Sequence, residues 1–192
     1  MCDQDLARAL AGDLKGNFEQ LVLAYQDRLY AFALRLVGNA HDAEEIAQDT
    51  FLRAYQALTT YPAERRRDLA PRPWLYRIAL NVTRNRRRSG RAPATSLNAD
   101  GPEDRQPIDC AESPDAWVER SELSVKLVAT LALLPERYRI ALLLRHVAGL
   151  GYGEMAAALN RPVGTVKSDV HRATSIVRQA LGGELSEVGG SR

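Results

Sequence analysis

Residues 149–178 read GLGYGEMAAALNRPVGTVKSDVHRATSIVR. Their spacing predicts a short helix over about 151–159, a tight turn at Asn160-Arg161-Pro162, and a longer helix over about 163–181 that stops at Gly182-Gly183. Met155, Ala156, Leu159, Val163 and Val166 fall where the two helices would pack together, and the small residues at 156–158 permit a close crossing. A short helix, a turn and a longer helix form the helix-turn-helix signature, which leaves the start of the second helix free to enter a major groove. Thr165, Lys167, Ser168, His171 and Arg172 are polar and lie off the apolar set Val163, Val166, Val170, Ala173 and Val177, so they are the candidate groove residues. The same pattern also suits a helical hairpin with no role on DNA.

Upstream, helices are predicted over about 116–133 and, opened by Pro135, about 136–147. Residues 89–115 are rich in Ser, Gly, Pro and Asp with no apolar period, which predicts a linker. Earlier still, Phe18, Leu21, Val22, Tyr25, Leu29, Phe32, Ala33 and Leu36 mark one face of a helix over 18–37, ended by Gly38-Asn39. A second helix over about 41–58 carries the stripe Ala43, Ile46, Ala47, Thr50, Phe51, Ala54, Tyr55 and Leu58. Its acids Asp42, Glu44 and Glu45 sit at the favourable dipole end. Residues 61–73 read as a basic loop with three prolines, and a third helix runs from about Trp74 to Arg88. No strand pattern is present. The fold class expected is all-α, two small helical domains joined by a flexible acidic linker, the second a helix-turn-helix domain.

Charge is segregated. The 192 residues carry a net charge of only +2, yet residues 65–91 hold ten Arg and one Asp, while residues 92–115 hold one Arg and six acids. Such blocks point to separate surfaces for separate partners, one of them a polyanion. Arg84, Arg86, Arg87, Arg88 and Arg91, preceded by Arg65, Arg66, Arg67, Arg72 and Arg77, interleave with Tyr61, Trp74 and Tyr76. Arginine binds phosphate bidentately, and aromatic residues among cations suit unstacked single strands. The competing reading is a solvated basic face paired with the acidic helix. Trp74 opens the apolar stripe with Ile78, which suits a core position better than a base wedge.

Composition excludes several classes. Hydrophobic residues make up 45% and aromatics 6%, which favours a helical core over disorder. No apolar run approaches the roughly 20 residues that span a bilayer, and the start, MCDQDLARAL, has no signal-peptide core. Cys2 and Cys110 stand far apart in polar surroundings, so neither a disulfide framework nor a thiolate metal site is expected, and a reducing cytosol is the natural compartment. His41, His146 and His171 lack metal-ligand spacing, and Gly149-Leu150-Gly151-Tyr152-Gly153 follows a helix rather than a strand, so it is no phosphate loop. No enzyme, cofactor or metal is expected.

The blocks DAEEIAQDTFLRAYQALTTY, RPWLYRIALNVTRNRRR and LPERYRIALLLRHVAGLGYGEMAAALNRPVGTVKSDVHRA, in that order over Phe18–Leu181, resemble the extracytoplasmic-function class of sigma-70 family sigma factors. The resemblance implies a division of labour. Residues 1–91 resemble region two, which binds core RNA polymerase and the minus-ten element. Residues 92–115 are similar to the connector, 116–182 resemble region four, which reads the minus-thirty-five element, and 183–192 form a tail. Polymerase contacts would come from Glu45, Gln48, Asp49, Thr50 and Phe51. The non-template strand would be read by Tyr61, Arg65, Arg66, Arg67, Trp74, Arg77, Asn81, Arg84, Asn85, Arg86 and Arg87. Duplex reading would fall to Tyr152, Thr165, Lys167, Ser168, His171 and Arg172. A cytoplasmic protein is implied, with polymerase, promoter DNA and an anti-sigma factor as partners and no membrane insertion. Asp169 and Thr174 stand where relatives often carry Arg, and an Asp at the groove would repel phosphate or accept from cytosine. Gly151 and Gly153 imply that the short helix begins a turn late, since glycine costs about 1 kcal/mol in a helix interior. The rival reading is a helix-turn-helix regulator that is not a polymerase subunit. It leaves the Arg and aromatic block after Tyr61 unexplained.

Overall fold

The computed structural model describes residues 2–88, 126–127 and 129–182, and every regular element among them is helical. In chain order these are α1 (Asp3–Gly12), α2 (Leu14–Val37), α3 (Ala40–Thr60), α4 (Ala63–Arg67), α5 (Pro71–Arg88), α6 (Glu136–His146), α7 (Tyr152–Leu159) and α8 (Val163–Gly182). Residues 129–133 are also helical. The expected linker over 92–115, most of the expected helix over 116–133 and the tail lie outside the described residues.

Two helices, α1 and α4, were not expected from the sequence. Helix α1 precedes Phe18, and α2 begins at Leu14, because Leu6, Leu10, Leu14 and Leu21 bury together. Asp13 joins them: its carboxylate accepts from the Gly16 backbone N–H at 3.1 Å, capping α2 in the manner that satisfies an orphan donor. The expected basic loop over 61–73 is instead the single turn α4 followed by α5. That helix starts at Pro71, since proline in a first helical turn loses no hydrogen bond.

Helices α2 and α3 form a hairpin. Gly38 ends α2 at φ 85°, and the Asn39 side chain accepts from the Asp42 N–H at 2.8 Å to start α3. A Cβ at Gly38 would meet nothing within 4 Å, so the only penalty of Gly38→Ala is the left-handed backbone. It is expected to destabilise the chain by about 1–2 kcal/mol, read by urea denaturation. An unchanged midpoint would mean that the turn tolerates a different φ.

Helix α5 closes the first domain against α3 and α2. Phe32 of α2 meets Tyr76 of α5 edge to face at 5.0 Å, both fully buried, and burial pushes the Tyr76 phenol up to about 12. Phe18 and Tyr55 pack likewise at 4.9 Å. Helix α1 lies against α2 and α4. It is tied there by Asp3, which accepts from the Tyr25 hydroxyl at 2.6 Å and pairs with Arg72 at 3.3 Å.

In the second domain α6, α7 and α8 enclose Ile140, Leu144, Leu150, Met155, Val166, Val170 and Ala173. Helix α7 begins at Tyr152, not a turn late. Glu154 accepts from the Gly151 N–H at 2.7 Å and closes the first turn. Asn160, at φ 52°, makes the turn into α8. The two domains are in contact: α5 lies against α7 and α2 against α6. One apolar cluster runs through both, and Arg87 pairs with Glu136 at 2.8 Å.

Candidate polymerase and nucleic-acid interfaces

The acidic helix α3 presents Glu44, Gln48 and Leu52 outward at four-residue intervals. Glu45 and Asp49 are half-buried beside them because Arg86 of α5 reaches across: its guanidinium pairs with Glu45, and with Asp42 and Asp49 at 3.6 Å each. Phe51 is half-buried and packs on the core. Thr50, expected to touch polymerase, is fully buried, and its hydroxyl donates to the Ile46 carbonyl at 2.6 Å. It is a core residue. Leu52, which the sequence reading passed over, is 56% exposed. It lies on the same face as Glu44 and Gln48 and is a candidate contact there.

The Arg-rich helix α5 divides its cations by face. Arg77, Asn81, Arg84, Asn85 and Arg88 are exposed and recur at steps of four, three, one and three, so they share one side of the helix. Arg86 and Arg87 do not belong to that side. Arg86 is 19% exposed and engaged with three carboxylates of α3, and Arg87 pairs with Glu136 of the second domain. Both arginines, expected to hold strand phosphates, are engaged by carboxylates in this structure. The three carboxylates around Arg86 compensate its charge within the first domain. At the start of α5, Trp74 is half-buried against the core and lies 6.2 Å from the Tyr61 ring. The Arg65 guanidinium lies over the Tyr61 ring at 3.7 Å. Arg65 and Arg67 are exposed on α4, while Arg66 is half-buried. Helix α1, packed against α4, holds this aromatic and basic corner in place.

On the second domain Tyr152, Lys167, Ser168, His171 and Arg172 line one open groove of about 490 Å³. All five were expected from the sequence. Thr165 is exposed on α8 outside this lining. Two cations lie near the Tyr152 ring, Arg145 of α6 at 5.0 Å and Lys167 of α8 at 5.7 Å. Arg145, which also donates to the Leu150 carbonyl at 2.9 Å, was missed by the sequence reading. Asp169 does not face the groove. It is buried, accepts from Arg161 at 3.1 Å and pairs with Arg137 at 3.8 Å. Thr174 donates to the Val170 carbonyl at 2.9 Å. The expected repulsion of phosphate by Asp169 is therefore corrected, because its charge is answered inside the domain.

The geometry defines a class: a two-domain helical protein with an acidic helix, a helix rich in arginine beside an aromatic corner, and a helix-turn-helix with an open groove. The Sigma-70 region 2 family matches residues 21–92, and the Sigma-70, region 4 family matches residues 124–174. The RNA polymerase sigma-H factor of Pseudomonas aeruginosa is 35% identical over 93% of each chain. The ECF RNA polymerase sigma factor SigW of Bacillus subtilis is 35% identical over 85% of this chain and 88% of its own. The structure of CnrH in complex with the cytosolic domain of CnrY aligns at TM-score 0.66 and 25% identity, over 94% of this chain and 97% of that one. The sigma factor RpoE of Bartonella quintana, solved with the anti-sigma factor NepR, shares the fold at TM-score 0.66. The chain belongs to the extracytoplasmic-function class of the sigma-70 family. Its function is that of a sigma factor, which directs RNA polymerase to promoters. No helix among the described residues is long and apolar enough to cross a membrane.

Proposed function

We propose that three separate faces of this chain divide the work of initiation. The α3 face, with Glu44, Gln48 and Leu52 outermost and Glu45, Asp49 and Phe51 behind them, docks on core polymerase. The α5 face of Arg77, Asn81, Arg84, Asn85 and Arg88, with Tyr61, Arg65, Arg67 and Trp74 at its start, takes the non-template strand of the minus-ten element. Asparagine amides there offer both donors and acceptors to base edges, and the arginines hold phosphates. The groove of Tyr152, Lys167, Ser168, His171 and Arg172, with Thr165 beside it, reads the minus-thirty-five duplex. The chain does this in the cytoplasm, without catalysis of its own, and an anti-sigma factor holds it inactive until needed. The observation that carries the reading is the separation of the two charges: acids on the outer face of α3 and cations with amides on the outer face of α5, joined through Arg86.

The reading also requires the two domains to part. The elements are named for positions about 25 base pairs apart, roughly 85 Å at about 3.4 Å per pair. The domains are in contact here. A 24-residue connector can reach roughly 80 Å at about 3.3 Å per residue, and the width of the two domains it joins adds to that reach, so both elements can be held at once.

Leu52→Asp tests the docking face. It is expected to weaken binding to core polymerase at least tenfold while leaving the thermal midpoint unchanged, because the side chain is 56% exposed. Equal polymerase affinity in titrations of labelled variant and parent would remove α3 as the docking helix.

A further inference from the structure

We propose that Arg137 and Arg161 form a phosphodiester-binding site beside the groove of the second domain, and that Asp169 is the buried counter-charge that positions them. The proposal rests on the duplex-reading role of that groove. Asp169 is 6% exposed on α8, at three residues from Val166 and four from Ala173, which places it at the edge of the buried stripe. Its carboxylate is met from two sides. Arg161, in the turn between α7 and α8, donates to Oδ2 at 3.1 Å, and Arg137, in the first turn of α6, pairs with Oδ1 at 3.8 Å. The Arg161 and Arg137 side chains are 45% and 50% exposed, so each is anchored by Asp169 and still reaches solvent, Arg137 also donating to the Tyr138 hydroxyl.

One negative charge facing two positive ones leaves the cluster cationic. A guanidinium has five N–H donors, and Asp169 takes few of them. An arginine already held by a buried carboxylate loses less rotamer freedom when it meets a phosphate than a free one does. The cluster is also continuous with the groove. Arg137 donates to the Tyr138 hydroxyl, and Arg172, a groove residue, is near enough to that phenol to join Arg137 in lowering its pKa. DNA lying in the groove would therefore pass its backbone along Arg172, Arg137 and Arg161 in turn. The ligand chemistry is a backbone phosphate flanking the base pairs read by Lys167, Ser168 and His171. It carries no sequence information, but fixes the register in which the bases are read.

The test uses the full chain and a fluorescein-labelled random duplex of about 30 base pairs. Affinity is followed by anisotropy as salt is raised. Each phosphate neutralised contributes about 0.9 to the slope of log K against log salt. Arg137→Ala and Arg161→Ala are each expected to reduce the slope by about 0.9, and Arg137→Lys and Arg161→Lys to restore it. Asp169→Asn adds net positive charge, yet is expected to shorten the residence time of the complex because the arginines lose their anchor. Longer residence in Asp169→Asn would overturn the positioning role. Unchanged slopes in both alanine variants, with helix content intact, would overturn the site. Arg172→Ala, measured alongside, separates that result from a failure of the groove itself.

Discussion

Arg86→Ala is expected to destabilise the first domain by about 3 kcal/mol. This arginine, 19% exposed, is the partner of Asp42, Glu45 and Asp49, and Asp42 is itself buried. Removing one member of a buried charge cluster strands the others in a poorly solvated site, which costs about 3–5 kcal/mol. The lower end applies here, since Glu45 and Asp49 can still turn to water. Arg86→Lys keeps a charge but not the planar fork that reaches three carboxylates, so its loss should be intermediate. Urea denaturation of the three proteins gives the ordering. A cost below about 0.5 kcal/mol for Arg86→Ala would place the cluster with ordinary surface ion pairs. The cluster would then not be what ties α3 to α5.

The second large effect belongs to the groove. The double substitution Lys167→Ala, Arg172→Ala is expected to lower affinity for duplex carrying the recognised minus-thirty-five element by about 100-fold or more. Each good contact to a base edge discriminates by about 1–3 kcal/mol, and each lost phosphate contact lowers affinity further in dilute salt. Both side chains are exposed in the groove lining, so stability and polymerase affinity should be unaffected. Competition binding against random duplex reads the loss directly. A loss confined to non-specific binding would assign both residues to phosphates and leave base reading to Ser168 and His171.

The helix-turn-helix was legible because its signal is local. The apolar stripe of α8, the turn at Asn160-Arg161-Pro162 and the polar residues between the stripe positions all lie within thirty residues, and the five groove residues emerged as expected. Helices α2, α3 and α5 were legible for the same reason. Helix α1 was overlooked although Leu6, Leu10 and Leu14 carry the four-residue step. Helix α4, a single turn with no buried residue, carries no periodicity to read.

The residues that the structure places differently from expectation have a common cause. Ten arginines in 27 residues look alike in sequence, and what sorts them is where their partners lie. Arg86 meets acids some forty residues earlier, and Arg87 meets Glu136 across the linker. The helical step that groups Arg77, Asn81, Arg84, Asn85 and Arg88 was present in the sequence and would have set Arg86 and Arg87 apart. Thr50 stood in the apolar stripe of its own helix, and that position outweighed its resemblance-based role. Asp169 likewise stood on the flank of Val166 and Ala173, so its inward orientation was readable. The identities of Arg137 and Arg161 as its partners were not.

The central claim is that this chain turns core polymerase into a promoter-specific enzyme. The most direct measurement mixes the full chain with sigma-free bacterial core polymerase and maps transcript starts from a genomic fragment library. The account predicts a stable holoenzyme whose transcripts begin at a shared two-part sequence. Duplex binding by the chain alone, with no association with core and no start sites above those of core polymerase, would contradict it.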